Sequence, residues 1–223
     1  MLSTEKEKLK TIIEKIKAFG QSNLETNEAI LKELKICDTC ELKQIPRLSK
    51  NDRYEIIDDI DNMIITVFAL YSPEARDLRL LVAYLKITNE LDRIAKQSNA
   101  FIRDFPNAIS CDVDKEFILE YAVPLQKSTV NTLRGIVNLL AEKDKDMVQE
   151  QYTEIVIEES KNDDLYTIIE KNLLKKIKKD LHLSYEYQSV LAALRRLEKI
   201  ADRALSIANL MHYAKIGGEL GNP

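Results

Sequence analysis

Glycine and proline are scarce in this chain, five of each in 223 residues, and cysteine occurs only three times. So few breakers exclude collagen-like, mucin-like and linker compositions, and 45 % apolar content excludes a disordered tail. Three cysteines do not pair off evenly, and a chain of this length buries a core without disulfides, so a reducing compartment is expected. An excess of basic charge is missing too: 33 Lys and Arg stand against 37 Asp and Glu, a net charge of −4 at pH 7. That balance lacks the electrostatic footprint of a dedicated nucleic-acid binder. No apolar run approaches the roughly 20 residues of a membrane-spanning helix, and MLSTEKEKLK lacks the apolar stretch of a signal peptide. The expectation is a cytoplasmic protein with no membrane insertion.

What the chain does have is helical periodicity. Apolar residues recur at three- and four-residue spacing through Leu9, Ile12, Ile13 and Ile16, then Ile30, Leu31 and Leu34, then Ile57, Ile60, Ile64, Val67 and Tyr71. No comparable strand alternation occurs. Ser72-Pro73-Glu74 predicts a helix beginning at Pro73, with Ser72 as its cap, that runs through Leu78, Leu81, Val82 and Leu85 to about Arg103. The segment DFPNAISCD then breaks the pattern with Pro106 and turn-forming residues. Further helices are predicted over 114–143, 145–179 and 182–216, with Pro124 starting, kinking or breaking the first and Gly217-Gly218 stopping the last. The fold class is all-α, two tandem three-helix bundles over 1–103 and 114–223 with a linker at 104–113.

A repeat links the halves. Leu91-Asp92-Arg93-Ile94-Ala95 matches Leu197-Glu198-Lys199-Ile200-Ala201 by type at every position, 106 residues apart (91 to 197), and the same register pairs Leu85 with Leu191. Asp92 and Glu198 therefore fall on the core-facing stripe of their helices, with Lys96 and Asp202 one turn on. A carboxylate directed inward costs several kcal/mol unless it is paired or metal-bound, so its recurrence calls for a cation or a charged side chain.

At these residues the sequence resembles the PhoU phosphate-signalling family. Ser72-Pro73-Glu74-Ala75-Arg76-Asp77-Leu78-Arg79, followed by Leu91 to Lys96, is similar to the family's pattern, in which each of two three-helix bundles carries a carboxylate-xxx-Asp motif set in LERIGDxxxNI. The resemblance implies a non-enzymatic regulator, often a homodimer, that couples the ATPase subunit of a phosphate transporter to a phosphate-sensing histidine kinase and restrains uptake and the starvation response. It also implies divalent or trivalent metal ions (iron, zinc, magnesium or manganese) on the acidic surface. Glu198 and Asp202 keep both acidic positions, with Ala201 in place of the usual Gly; in the first half Asp92 keeps one and Lys96 takes the other, where an ammonium repels a cation or pairs with Asp92. The family's Ile-Asp pair on the neighbouring helix is matched by Ile60-Asp61, with Asp58 nearby, and more loosely by Asp164 beside Leu165-Tyr166. Such an oxygen-only set favours hard ions. The alternative function is a metal-binding or metal-storing helical protein without a phosphate-signalling role.

Each constellation also has a plainer reading. Glu198 and Asp202 can form an Arg-paired or solvated face beside Arg195, Arg196 and Arg203, and Asp92 with Lys96 is an i,i+4 ion pair. Arg76 and Arg79 either hold an anion or pair with Glu74 and Asp77. Cys37-Asp38-Thr39-Cys40 is a lone CxxC, and Cys111 does not complete a zinc set. His182 and His212 lack ExxH spacing and are expected to be solvent-exposed. The run Lys171, Lys175, Lys176, Lys178, Lys179 has no interleaved aromatics for nucleic acid and reads as a solvated face. Neither a phosphate-cradling Gly-rich loop nor a nucleophile triad order stands out, so catalysis is not expected.

Overall fold

The computed structural model describes residues 3–36, 41–109 and 113–217; the Cys37-Cys40 pair and Cys111 lie outside them. Six long helices make up the described residues, with no strand among them. They are α1 (Ser3–Lys35), α2 (Lys50–Tyr71), α3 (Ala75–Ala108), α4 (Lys115–Ala141), α5 (Lys145–Lys179) and α6 (Ser184–Ile216). None is long and apolar enough to cross a membrane. Helices α1–α3 pack on one another, as do α4–α6, and the two groups lie side by side with α1 along α4 and α3 along α6.

Local chemistry sets the ends. Ser49 and Asp52 form a reciprocal capping box at the start of α2, Ser49 Oγ accepting from Asp52 N and Ser49 N donating to Asp52 Oδ2. Ser72 does not cap α3: it ends α2 in the left-handed region at φ 46°, because Pro73 has no N–H with which to continue the helix, and α3 begins at Ala75. Helix α3 runs past its expected end at Arg103. Phe101, Phe105 and Ala108 are buried, the two rings stack at 4.7 Å, and Pro106 falls in the last turn, where it forfeits a single backbone bond. Pro124 neither starts nor breaks α4, which is held through that point by the buried Ala122 and Leu125. Gly217, at φ +95°, ends α6 as predicted, its N–H donating to Tyr213 O.

The repeat is visible in the hydrogen bonds. Asn23 Nδ2 on α1 donates to Leu91 O on α3 at 3.1 Å, and Thr129 Oγ1 on α4 donates to Leu197 O on α6 at 3.3 Å. Both donor and acceptor move by 106 residues (23 to 129, 91 to 197), so Asp92 and Glu198 occupy equivalent places. Between the halves, buried Gln126 on α4 donates through Nε2 to Asn27 O and Oδ1 on α1, and Asn27 Nδ2 donates to Ser98 Oγ on α3.

Candidate functional site

Glu159 and Asp163 lie one turn apart on α5, and Glu198 and Asp202 one turn apart on α6, where the two helices pack together. One carboxylate oxygen from each of Glu159, Asp163 and Asp202 lies within 4.8 Å of the others. Glu198 stands beside them with its side chain 12 % exposed, and its buried Oε2 has no hydrogen-bond partner. Lys199 is the cation bonded to them: its Nζ donates to Asp202 Oδ2 at 2.7 Å and to Glu198 Oε1 at 3.2 Å, and the Arg195 charge also acts on Glu198. Arg195, read as a possible partner, instead lies over the Tyr166 ring at 5.6 Å, and Arg196 and Arg203 reach across to Asp104 and Glu90 on α3.

Four acids with one lysine repel one another. Burial first, then the charges of Asp163, Asp202 and Glu198, push the Glu159 carboxyl up to about 7. Asp163 and Glu198 are raised for the same reasons, burial first and Asp202 next, with Lys199 opposing in both. This is the signature of a site short of positive charge. The ligands are all oxygens, α5 and α6 hold them at fixed spacing, and one buried oxygen lacks a partner, so the residues fit a hard divalent ion.

The raised Glu159 carboxyl makes stability fall with pH. Folded protein holds that proton up to about pH 7 and unfolded protein only to 4.5, so folding binds the extra proton between these values. Its stabilising contribution is complete below 4.5 and is lost as pH rises through 7. In chelator, the melting temperature of the wild type relative to Glu159→Gln is therefore expected to drop between pH 5 and 7.5; parallel curves would contradict the assignment.

The first half fills the equivalent positions differently. Asp92 is buried and bonded to two cations: Arg53 Nε at 2.9 Å and Lys96 Nζ at 2.5 Å. Shifted by 106, Arg53 falls on Glu159, Asp92 on Glu198 and Lys96 on Asp202, so two side-chain cations surround the single acid. Asp92 is an ion-pair residue here and not a free metal ligand. Asp61 lies apart from the acidic cluster; its carboxyl is raised by burial and by Asp58, and its Oδ1 is buried without a partner. Asp164 lies outside this group of oxygens: it and Asp163 are both exposed, but it is Asp163 that brings an oxygen to Asp202. One residue turns a helix by about 100°, enough to swap faces. Glu159 and Arg53 were not anticipated, although carrying the 106-residue register back from α3 and α6 to α2 and α5 picks out both.

The remaining motifs settle into structural roles. His212 is half-buried, tilted against the Tyr152 ring at 4.5 Å and bonded to Gln149 Oε1, so only His182 is exposed as expected. Within the lysine run Lys176 pairs with Asp114 at 2.8 Å and lies over Phe117, while the other four are exposed. Arg79 is exposed at the start of α3.

A PhoU domain model matches residues 49–104, which hold α2 and most of α3. The chain is 29 % identical over 157 residues to the phosphate-specific transport system accessory protein PhoU of Serratia marcescens, covering 69 % of this chain and 61 % of that protein. It is 25 % identical over 186 residues to the PhoU homolog of Aquifex aeolicus, covering 75 % and 69 %. The chain spans about three fifths of the length of the first of these relatives. The crystal structure of PhoU from Pseudomonas aeruginosa superposes with a TM-score of 0.78 at 18 % identity, over 96 % of this chain and 99 % of that one, a likeness of fold.

Proposed function

We propose, from its likeness to PhoU proteins, that the chain is a member of that family and regulates phosphate uptake and the phosphate-starvation response as a cytoplasmic adaptor between a high-affinity phosphate transporter and a sensor histidine kinase. The observation that carries this reading is the name shared by its relatives, phosphate-specific transport system accessory protein. No catalytic step enters it. The α5–α6 carboxylates supply the second element: a divalent ion held by Glu159, Asp163 and Asp202, with Glu198 beside them, neutralises a face that otherwise repels itself. The residues position and select the ion through fixed oxygen spacing, and Lys199 offsets part of their charge without it.

The storage alternative asks for many ions. Among the described residues a single group of acids brings three ligand oxygens within 4.8 Å, a capacity suited to a regulator. Deleting the gene is expected to leave phosphate-starvation genes expressed in phosphate-rich medium. Normal repression in the deletion strain, with no second copy of the gene present, would overturn the adaptor reading.

A further inference from the structure

Where α1, α3, the α4–α5 turn and the end of α6 converge, a cavity of about 460 Å³ opens that the acidic cluster does not touch. Its size falls within the roughly 300–1,000 Å³ range of small-molecule sites. Leu9, Ile13, Leu80 and Leu140 give it apolar walls. Tyr84, only 5 % exposed, lines it, and its hydroxyl donates to no described residue. That leaves the phenol able to donate to a molecule held in the cavity.

The charges at the rim are unequal. Lys10, Lys17, Lys143 and Lys215 line the cavity with two acids, Glu14 and Glu142, and Asp77 faces Tyr84 from α3. Lys10 pairs with Glu14 at 3.8 Å, and the Glu142 carboxylate is turned to the backbone N–H groups of Lys143 and Asp144. Lys215 is spent on the closing carbonyls of α4, donating to Leu139 O and Glu142 O. Lys17 and Lys143 make no ion pair among the described residues. Two uncommitted ammonium groups and a free hydroxyl therefore border an apolar space.

We propose that this cavity binds a small amphipathic carboxylate, its hydrocarbon tail against Leu9, Ile13 and Leu80 and its head group on Lys17 and Lys143 with Tyr84 as hydroxyl donor. Burial and Asp77 keep the Tyr84 phenol protonated across the physiological range, so it donates to a carboxylate and repels no anion. A medium-length alkyl chain fits within its volume of about 460 Å³. The same chemistry reaches a protein as a free carboxylate or as an anionic lipid at a bilayer surface. The site as built suits the free molecule, because its donors line a half-open cleft between helices and not a flat face.

The test titrates the intact chain calorimetrically with decanoate below its micelle concentration, with decyltrimethylammonium as the opposite-charge control. Wild type is expected to bind decanoate saturably with one site and the cationic control at least about tenfold more weakly. Lys17→Gln with Lys143→Gln should lower decanoate affinity about tenfold or more, the loss expected for charge-assisted bonds. Tyr84→Phe, which keeps the ring and removes only the hydroxyl, should lower it about three- to fivefold with unchanged helical circular dichroism. Leu80→Trp, filling the cavity from a partly buried position, should abolish binding. The proposal is overturned if decanoate shows no saturable binding, if both amphiphiles bind equally, or if these variants bind as wild type does. Flotation with phosphatidylglycerol vesicles that excess decanoate fails to displace would overturn it in favour of a membrane surface.

Discussion

Arg53→Ala is expected to lower stability by about 3 kcal/mol, the low end of the range for stranding one member of a buried ion pair, because Lys96 remains to share the Asp92 charge. Arg53 and Asp92 expose only 6 % and 9 % of their side chains, so water does little to replace the lost guanidinium. Arg53 also donates to Leu48 O, closing the chain just before the α2 capping box. The double variant Arg53→Met/Asp92→Leu should recover most of the loss, since neither charge is left uncompensated. Urea unfolding of the two singles and the double closes the cycle. Additive losses would mean that the pair is not coupled as its geometry indicates.

In the second half the proposed divalent ion would supply the charge that the protein lacks. Mn²⁺ at 100 times its dissociation constant is expected to stabilise the wild type by about 2.7 kcal/mol, and Glu159→Gln/Asp163→Asn by essentially nothing. That variant removes two of the four acids and leaves the Lys199 pair with Asp202 in place, so in chelator it should be at least as stable as the parent. The metal effect should weaken as pH falls below about 7, where Glu159 takes up a proton in competition with the ion. Elemental analysis after identical purification gives the independent measure. Equal metal in the wild type and the double variant would remove the site.

The helices, their grouping and the placement of Asp92 and Glu198 were legible because the 3.6-residue period and the Leu91 and Leu197 repeats are properties of single segments. What escaped depended on pairing between segments. Arg53 reads in sequence as one more charge on a polar helix, and only packing of α2 on α3 buries it against Asp92. Asp163 and Asp164 are indistinguishable by type, and their separation by about 100° of helix rotation decides which one meets Asp202. Ser72 and Pro106 were read by their usual roles, cap and breaker. A proline directly after Ser72 made it the close of one helix, and buried aromatic packing carried the other helix through Pro106.

The Gln126–Asn27 bond has a consequence for how the molecule comes apart. Separating α4 from α1 would strand two buried amides and break the Arg134–Glu28 pair, and Asn27 also holds Ser98 on α3. Neither three-helix group can open alone without breaking this polar seam, so slowly exchanging amides in α1 and α4 belong to one cooperative unit and not to two independent foldons.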